Sequence, residues 1–447
     1  MHTEKSIAAR LDRLPVSSFH YRILFLIAAG IFLDGFEIAM AASVLGDLLH
    51  SGWSTPYLNA LFISATFAGF IIGAWGSGFI ADKYGRRLCY QINLALFGFS
   101  SLIAAFAPNM SLLIVLRFIM GMGLGGELVL GYATLAEFVP PRKRGRLVAL
   151  LSCIAQSAIF FAALLAMFII PTLGWRWMFA IAGIASVIIW LMRKTMPESP
   201  RWLACKGKFA QADAIIAPLE QAHGLSADEA SHAERQSAAV NLPASGVKAP
   251  LFARKYLPPL LIGTVIMCTI QMCLYGFVSW LPTFFIQLGY DIKQSLQWNL
   301  LMTLGGPLGG LLALLLVERV GRKPLLIASA MVAIVISGIY ISVSSPLLAA
   351  FFGMLMLIPI YVIVVVGQAI YMPELFPTDI RMRGNGFCSA IARLFAVAIP
   401  MVIPAIFAFG GIRAVVCTVC VFLLLLAITM MFMAKETRKR SLEEITG

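Results

Sequence analysis

The feature that most constrains this chain is a succession of long apolar runs with hardly any charge inside them. Each run is close to the roughly 20 residues that a helix needs to cross the hydrocarbon core of a bilayer. Only 12% of the residues are charged, about half of what a soluble domain carries. The sequence therefore predicts an all-α polytopic membrane protein with twelve transmembrane helices, at about 21–45, 57–80, 88–107, 110–136, 147–170, 176–193, 257–286, 296–317, 325–344, 348–372, 384–408 and 412–433.

The basic residues of the connecting loops lie mostly on one side of this predicted bundle. The opposite loops hold only Arg176, Lys293 and Arg413. The positive-inside rule then places both termini in the cytoplasm, and the multi-pass chain is expected in a bacterial inner membrane. The net charge of +13 is explained by this topology, so no nucleic-acid partner is expected. The basic side holds Arg10, Arg13, Arg22, Lys83, Arg86, Arg87, Arg142, Lys143, Arg144, Arg146, Arg319, Arg322, Lys323, Arg381, Arg383 and residues 435–440.

Two pairs of loops indicate an internal repeat. GFIADKYGRR at 78–87 matches LLLVERVGRK at 314–323, with Asp82 and Glu318 separated by 318 − 82 = 236 positions. AEFVPPRKRGR at 136–146 matches PELFPTDIRMRG at 373–384, with Glu137 and Glu374 separated by 374 − 137 = 237 positions. The agreement predicts two six-helix halves, residues 1–198 and 256–447, joined by a cytoplasmic linker at 199–255.

These loops also carry a chemical pattern. A glycine that ends a span lets neighbouring helices approach, and an acid with two arginines links helix ends across a tight loop. The loop GFIADKYGRR resembles the signature of the major facilitator superfamily. Glu318, Gly321, Arg322 and Lys323 resemble its second copy, where Leu314 replaces the expected glycine. The resemblance implies that the two halves rock about a midplane site in an alternating-access cycle. The expected gating residues are Gly78, Asp82, Gly85, Arg86, Arg87, Glu137, Arg144, Glu318, Arg322, Glu374 and Arg383.

Within that superfamily, three longer segments resemble the branch of organic-ion, sugar and metabolite–proton symporters. They are GGELVLGYATLAEFVPPRKRGR, PESPRWL at 197–203, and PELFPTDIRMRG. The niacin transporters are the nearest likeness. The aromatic-acid–proton symporters are similar through LDGFE, where their usual pattern has Asp in place of Glu37.

Five ionisable residues fall inside the predicted spans, and each would cost about 2.5–3.5 kcal/mol at the centre of a membrane helix. Asp34 and Glu37 share one face of the first span. Arg117 is the cation expected to lie deep with them, and the resemblance implies that it lies near Asp34. Gly121 and Gly125 lie on the face of Arg117 and let its helix approach another. The expected proton-coupling set is Asp34, Glu37, Arg117 and Glu127, with a purely structural ion pair as the alternative.

Glu127 follows Arg117 by ten residues, about 15 Å along a helix. It is therefore not expected to share that cation.

The C-terminal half has a different polar inventory. Asn385, Ser389 and Arg393 follow each other at intervals of four residues in the eleventh span, and Gln271, Tyr275 and Ser279 do the same in the seventh. Any one stripe could serve helix packing, whereas several together favour a cavity lining. The predicted substrate-binding residues are Gln156, Gln271, Tyr275, Phe277, Tyr361, Gln368, Asn385, Ser389 and Arg393.

The function predicted from these patterns is proton-coupled symport of a small organic anion, for example nicotinate, with Arg393 facing the carboxylate. A sugar or polyol–proton symporter and a multidrug–proton antiporter remain alternatives. No enzyme motif, metal-ligand cluster or cofactor signature occurs, since the GxGxxG match at Gly121, Gly123 and Gly126 lies inside an apolar run. The expected partners are the substrate, protons and the lipid bilayer, and the expected state is a monomer.

Overall fold

Helices make up nearly all of the chain in the computed structural model, which describes residues 4–224, 252–343, 345–376 and 381–436. No strand occurs within these ranges. The N-terminal half begins with a short helix, α1 (Glu4–Arg13), followed by six long ones. These are α2 (Ser18–His50), α3 (Pro56–Tyr84), α4 (Arg86–Ala104), α5 (Met110–Phe138), α6 (Pro141–Leu173) and α7 (Arg176–Arg193).

Two short helices of the predicted linker follow, α8 (Pro200–Cys205) and α9 (Phe209–Ala222). In the C-terminal half, α10 (Leu257–Gln271) passes through a π turn, Met272–Phe277, and a 3₁₀ turn into α11 (Leu281–Gln287). A second π turn, Val364–Tyr371, joins α15 to α16. The remaining helices are α12 (Ile292–Thr303), α13 (Gly305–Val320), α14 (Arg322–Ser342), α15 (Pro346–Ile363), α16 (Met372–Glu374) and α17 (Arg381–Met433).

The helices account for the predicted spans. Ten continuous helical stretches of the described chain are long and apolar enough to cross a membrane. The last of them, within α17, contains two spans, because Gly410 and Gly411 leave helical geometry and bend the chain. The more polar α4 completes the N-terminal half, where it packs against α5 and α7. The predicted fold, twelve helices in two six-helix halves, is confirmed, and the limits of the three segments remain predictions.

Glycines bring α3 and α5 into close contact. A side chain at Gly121 or Gly125 would overlap the backbone of Thr66 or Phe70, so the predicted approach of this helix to a neighbour is confirmed. The matching glycines on α3 are Gly69, against the backbone of Phe118, and Gly73, against the backbone of Met122. Gly78, which the sequence suggested for this role, has open space around it, so that expectation was wrong.

The two halves meet on the side of the membrane away from the chain termini. We call the side on which the described chain begins and ends the terminal side. At the opposite ends of their helices, His50 lies 3.7 Å from Asp291, and the Asn299 amide donates to Ser43 Oγ over 3.5 Å. Nearer the middle, Ser64 Oγ donates to the carbonyl oxygen of Val397 over 2.7 Å. These contacts join α2 and α3 of one half to helices of the other.

The helices α1, α8 and α9 form a small cluster of their own on the terminal side. Leu11 of α1 packs against Trp202 and Ile216 in a buried apolar contact. Arg10 forms an ion pair with Glu220 at 2.6 Å, and Arg13 reaches the same carboxylate at 2.8 Å. Burial alone would raise the pKa of Glu220, but the hydrogen bonds from these two arginines outweigh it and hold that pKa below its usual range.

Candidate functional site

A buried ion pair joins α2 to α5 in the N-terminal half. Arg117 Nη1 lies 2.8 Å from Glu37 Oε1, and Nη2 donates to the backbone oxygen of Glu37 over 3.0 Å. Its Nε donates to Thr66 Oγ1 over 2.9 Å, and its guanidinium lies 4.9 Å from the Phe62 ring. The predicted pairing of Arg117 with Asp34 was wrong, since Glu37, one turn further along the same face of α2, takes that place.

A second buried pair lies nearer the terminal side. Arg193 Nη1 lies 2.5 Å from Glu127 Oε1, and both side chains are almost fully enclosed. Arg193 also donates to the backbone oxygens of Leu26 and Ile27, and its guanidinium lies 4.5 Å from the Tyr90 ring. The expectation of a single deep cation in this half was wrong. The sequence did not point to Arg193, because it is the last residue of its helix. The acid Glu127, inside an apolar run, nevertheless indicated that a cation should lie nearby.

Asp34 lies between these two pairs. It is on the face of α2 that also carries Gly30 and Glu37, because the three residues follow at intervals of four and three. Its side chain is buried, and Oδ2 has no hydrogen-bond partner within the described residues. Glu127 and Arg193 are its electrostatic neighbours on one side and Glu37 on the other. Among the described side chains of α2–α7, three carboxyl groups and two guanidinium groups are therefore buried.

Arg393 is the predicted substrate-binding cation of the C-terminal half, and its side chain is partly buried. Its guanidinium lies 4.1 Å from the Phe70 ring of α3, so it is placed where the two halves meet. Tyr275 is its electrostatic neighbour, and the Tyr275 ring lies 4.2 Å from the Phe67 ring. Among the described residues, no carboxylate pairs with Arg393. An unneutralised cation thus lies among aromatic side chains at the junction.

A small cavity lies beside this aromatic group. Its volume is about 10 Å³, room for roughly one water molecule. Tyr275 and Ser279 of the predicted seventh-span stripe line it, together with Arg117 from the other half. The cavity thus brings residues of the predicted proton-coupling and substrate-binding sets to a common surface.

The other predicted substrate-binding residues lie at different depths. Gln271 donates to the backbone oxygen of Ala392, the neighbour of Arg393, over 3.4 Å. Asn385 is partly buried and its Oδ1 has no hydrogen-bond partner in the described chain, whereas Gln368 is exposed. Phe277 was placed wrongly by the sequence, since it is fully buried inside the C-terminal half, 6.1 Å from the Tyr340 ring. Gln156 and Ser389 are partly buried, and Tyr361 is buried near Tyr275.

The predicted gating loop at 78–87 is tied together by acids. Arg86 pairs with Asp82 at 3.1 Å and with Glu137 at 3.0 Å. Glu198 accepts hydrogen bonds from the backbone N–H groups of Arg86 and Arg87 over 2.9 and 3.2 Å. It was not among the gating residues expected from the sequence. This carboxylate therefore caps the start of α4, where a negative charge is favoured.

The second copy of the loop repeats this arrangement. Arg322 pairs with Glu374 at 3.3 Å, and Glu436 accepts the backbone N–H groups of Arg322 and Lys323 over 3.0 and 2.9 Å. Glu198 and Glu436 are 436 − 198 = 238 positions apart, a repeat signal that could have identified both from the sequence. Arg383 is exposed, and the side chains of Arg144 and Glu318 lie outside the described part of the chain.

One glycine in each loop makes the turn possible. Gly85 has φ 104° and ψ 164°, and Gly321 has φ 103° and ψ 165°. Positive φ values of this kind strain any residue with a side chain. The near-identity of the two turns shows that the sequence repeat is also a repeat of backbone geometry.

The chain resembles known transporters over its whole length. It is 35% identical to the inner membrane metabolite transport protein YdjE of Escherichia coli (strain K12), covering 100% of this chain and 99% of that protein. It is 29% identical to the niacin transporter NiaP of Acinetobacter baylyi, covering 98% of this chain and 99% of that one. The inward open structure of the xylose transporter XylE from E. coli has the same fold, with a TM-score of 0.75, 20% identity, and 95% and 99% coverage.

The profile of one protein family matches residues 24–447, which include the Glu37–Arg117 and Glu127–Arg193 pairs and both loops described above. Together with the twelve-helix fold, the match makes the chain a multi-pass membrane transporter of the major facilitator fold rather than an enzyme. The chain therefore belongs to the sugar (and other) transporter family.

Proposed function

We propose that this transporter takes up a small organic anion together with a proton, and that the anion is an aromatic carboxylate of the size of nicotinate. The observation that carries the proposal is Arg393, a cation without a carboxylate partner in the described chain, at the junction of the two halves. Arg393 is partly buried, and withdrawing a charge from water is costly unless that charge is neutralised. A bound anion would supply the missing charge.

The surroundings of Arg393 favour a planar, aromatic anion. Contact with the Phe70 ring covers one part of the guanidinium by a cation–π interaction and leaves its donors available. A carboxylate can accept two of those donors side by side. Tyr275 and Phe67, in contact with each other beside Arg393, offer aromatic surface for the ring of the substrate.

Asp34 is the group that we propose carries the proton. It is buried, one of its oxygens has no hydrogen-bond partner in the described chain, and no arginine forms an ion pair with it there. Burying an unpaired charge is expensive, and taking up a proton removes that cost. The acid would therefore gain and lose a proton as its access to water changes during transport.

The relatives support this reading. NiaP is named a niacin transporter, and nicotinate is a carboxylate on an aromatic ring. YdjE is named an inner membrane protein, which supports the same membrane for this chain. With the basic loops in the cytoplasm, as the positive-inside rule predicts, uptake would run from the side of the His50–Asp291 contact to the terminal side.

Competition between an acid and its amide tests the anion site. Purified protein is reconstituted in vesicles with an imposed pH gradient, and uptake of radiolabelled nicotinate is competed with unlabelled nicotinate, nicotinamide and xylose. In wild type we expect nicotinate to compete best. In Arg393→Gln the advantage of the acid over the amide should disappear. In Arg393→Lys, which keeps the charge but loses the planar fork, apparent affinity for the acid should fall about tenfold.

Arg413→Gln is the matched control, because Arg413 is an exposed arginine on the opposite loop side and should leave competition unchanged. The proposal fails if the acid competes as well in Arg393→Gln as in wild type.

A sugar or polyol–proton symporter is the second candidate. Neutral hydroxyl groups would be recognised by amides, and Asn385 has a buried Oδ1 without a partner in the described chain. XylE, a xylose transporter, has the same fold. In the assay above, labelled xylose taken up by wild type and unaffected by Arg393→Gln would favour this candidate over the anion transporter.

A further inference from the structure

The N-terminal half contains a second buried carboxylate whose role the proposed function does not include. Resting on that function, we propose that Glu127 is the exit carboxylate for the transported proton. It receives the proton from Asp34 and releases it to water on the terminal side, while Arg193 serves as its counter-charge and holds it in position.

The three buried acids form an ordered series along the contact of α2 with α5. Asp34 is three residues from Glu37, about 4.5 Å along the helix, and four residues from Gly30, about 6 Å in the other direction. A side chain at Gly30 would overlap both Glu127 and Arg193, so this ion pair lies directly against α2 at that level. Asp34 is therefore placed between the Glu37–Arg117 pair and the Glu127–Arg193 pair.

Glu127 has an oxygen available for a proton. Its Oε1 contacts Arg193 Nη1, but Oε2 has no hydrogen-bond partner among the described residues. Arg193 is the last residue of α7, and the two residues after it, Lys194 and Thr195, are exposed. The pair therefore lies at the boundary between the buried acids and the aqueous phase on the terminal side.

The groups that face Glu127 permit such a transfer without a change in total charge. They are Asp34 on α2, Cys89 and Tyr90 on α4, and Arg193 on α7. The proton leaves the Asp34 carboxyl group and joins Glu127, so that Asp34 becomes the carboxylate and Glu127 becomes neutral. Arg193 stays protonated throughout and is opposed by one negative charge before and after the step.

A purely structural role predicts a different behaviour. Arg193 ties α7 to α2 through the backbone oxygens of Leu26 and Ile27, and Glu127 could serve only to neutralise it. In that case Glu127 would remain ionised throughout the pH range in which the protein is folded. The two roles therefore differ in whether Glu127 ever takes up a proton.

Infrared difference spectroscopy of the purified protein in lipid, recorded between two pH values, detects the C=O stretch of buried carboxylic acids without any substrate. We expect Asp34→Asn and Glu127→Gln each to remove a separate band, and Glu127→Asp to shift the second band rather than remove it. Asp291→Asn, at an exposed carboxylate, is the control that should leave both bands in place. A spectrum of Glu127→Gln identical to that of wild type overturns the proposal, whatever the variant does to thermal stability.

Transport gives a second readout, with labelled nicotinate as the probe. In Glu127→Gln we expect accumulation driven by a pH gradient to fall about tenfold or more, while exchange of nicotinate across the membrane at equal pH persists. Unchanged accumulation overturns the relay. If wild type transports no nicotinate, the proposed substrate fails, and the infrared bands still decide the role of Glu127.

Discussion

At the residue scale, the buried charges divide unequally between the halves. Within the described membrane-spanning helices, the N-terminal half holds two buried ion pairs and the buried acid Asp34, whereas the C-terminal half holds Arg393, which is partly buried and pairs with no carboxylate. Composition and spacing predicted that Asp34, Glu37, Arg117 and Glu127 would be buried. They did not predict the pairing of Arg117 with Glu37, because Asp34 and Glu37 share a face and only the relative shift of two helices selects between them. Arg193 escaped prediction because a long side chain reaches inward from the end of a helix.

The lone acid gives the first prediction. Asp34→Asn should abolish accumulation of nicotinate against a gradient, because an amide cannot carry the proton, whereas exchange at equal pH should continue. Vesicles with and without a pH gradient measure both activities in the same preparation. Accumulation equal to that of wild type would show that the proton is carried elsewhere.

Asp213→Asn is the comparison variant for Asp34→Asn, because it also removes a single carboxylate but from a partly exposed position in the cluster of α1, α8 and α9. It should support accumulation at the wild-type level.

At the element scale, the helix ends on the terminal side are tied by acids rather than by apolar packing. The spacing in the sequence predicted that Asp82 and the following arginines belong together. It did not reveal that Glu198 caps α4, since this contact depends on how the chain returns after α7. The 238-position offset between Glu198 and Glu436 was a signal in the sequence, but the backbone groups that each carboxylate caps were seen only in the structure.

The loop gives the second prediction. Asp82 is largely exposed and forms an ion pair with Arg86, which lies four residues further along the chain. Glu137 of α5 forms an ion pair with the same guanidinium. Asp82→Asn should therefore slow transport without a comparable loss of substrate affinity, as expected for a group that acts on moving helix ends. Initial rates and equilibrium binding of nicotinate measure the two effects. A tenfold loss of affinity with an unchanged rate would contradict a gating role.

The cluster of α1, α8 and α9 gives the third prediction. Because the pKa of Glu220 is lowered in the folded protein, its ion pairs stabilise the docking of α1 above the ordinary carboxyl pKa of about 4.3. That stabilisation is lost as the pH falls through the lowered value. In Glu220→Gln, hydrogen exchange in α1 at neutral pH should be faster than in wild type, after correction for intrinsic rates.

Asp213→Asn should have a smaller effect than Glu220→Gln, because the Asp213 side chain is more exposed and, within the described chain, forms an ion pair with Arg10 but not with Arg13. Equal protection of α1 in wild type and Glu220→Gln would show that apolar packing alone holds the helix.

At the scale of the whole molecule, the halves contact each other on the side away from the termini, and an alternating-access cycle requires that contact to open. Ser43 and Asn299 approach to 3.5 Å across it. In a background without native cysteines, an oxidised Ser43→Cys/Asn299→Cys pair should stop most nicotinate uptake, and reduction should restore it. Each single variant is the control. Full transport by the cross-linked protein would mean that the halves do not separate here.

The repeated turns bear on the origin of the chain and on whether it can be expressed as two separate polypeptides. Among the described residues, the ion pairs and backbone caps around Gly85 join residues of the N-terminal half, and those around Gly321 join residues of the C-terminal half. A peptide bond cut within 225–251 would sever none of these ties. We therefore expect that the two pieces, made as separate polypeptides in one cell, reassemble into a working transporter. The same independence is expected if the chain arose by duplication of an ancestral gene and each copy kept its own loop contacts.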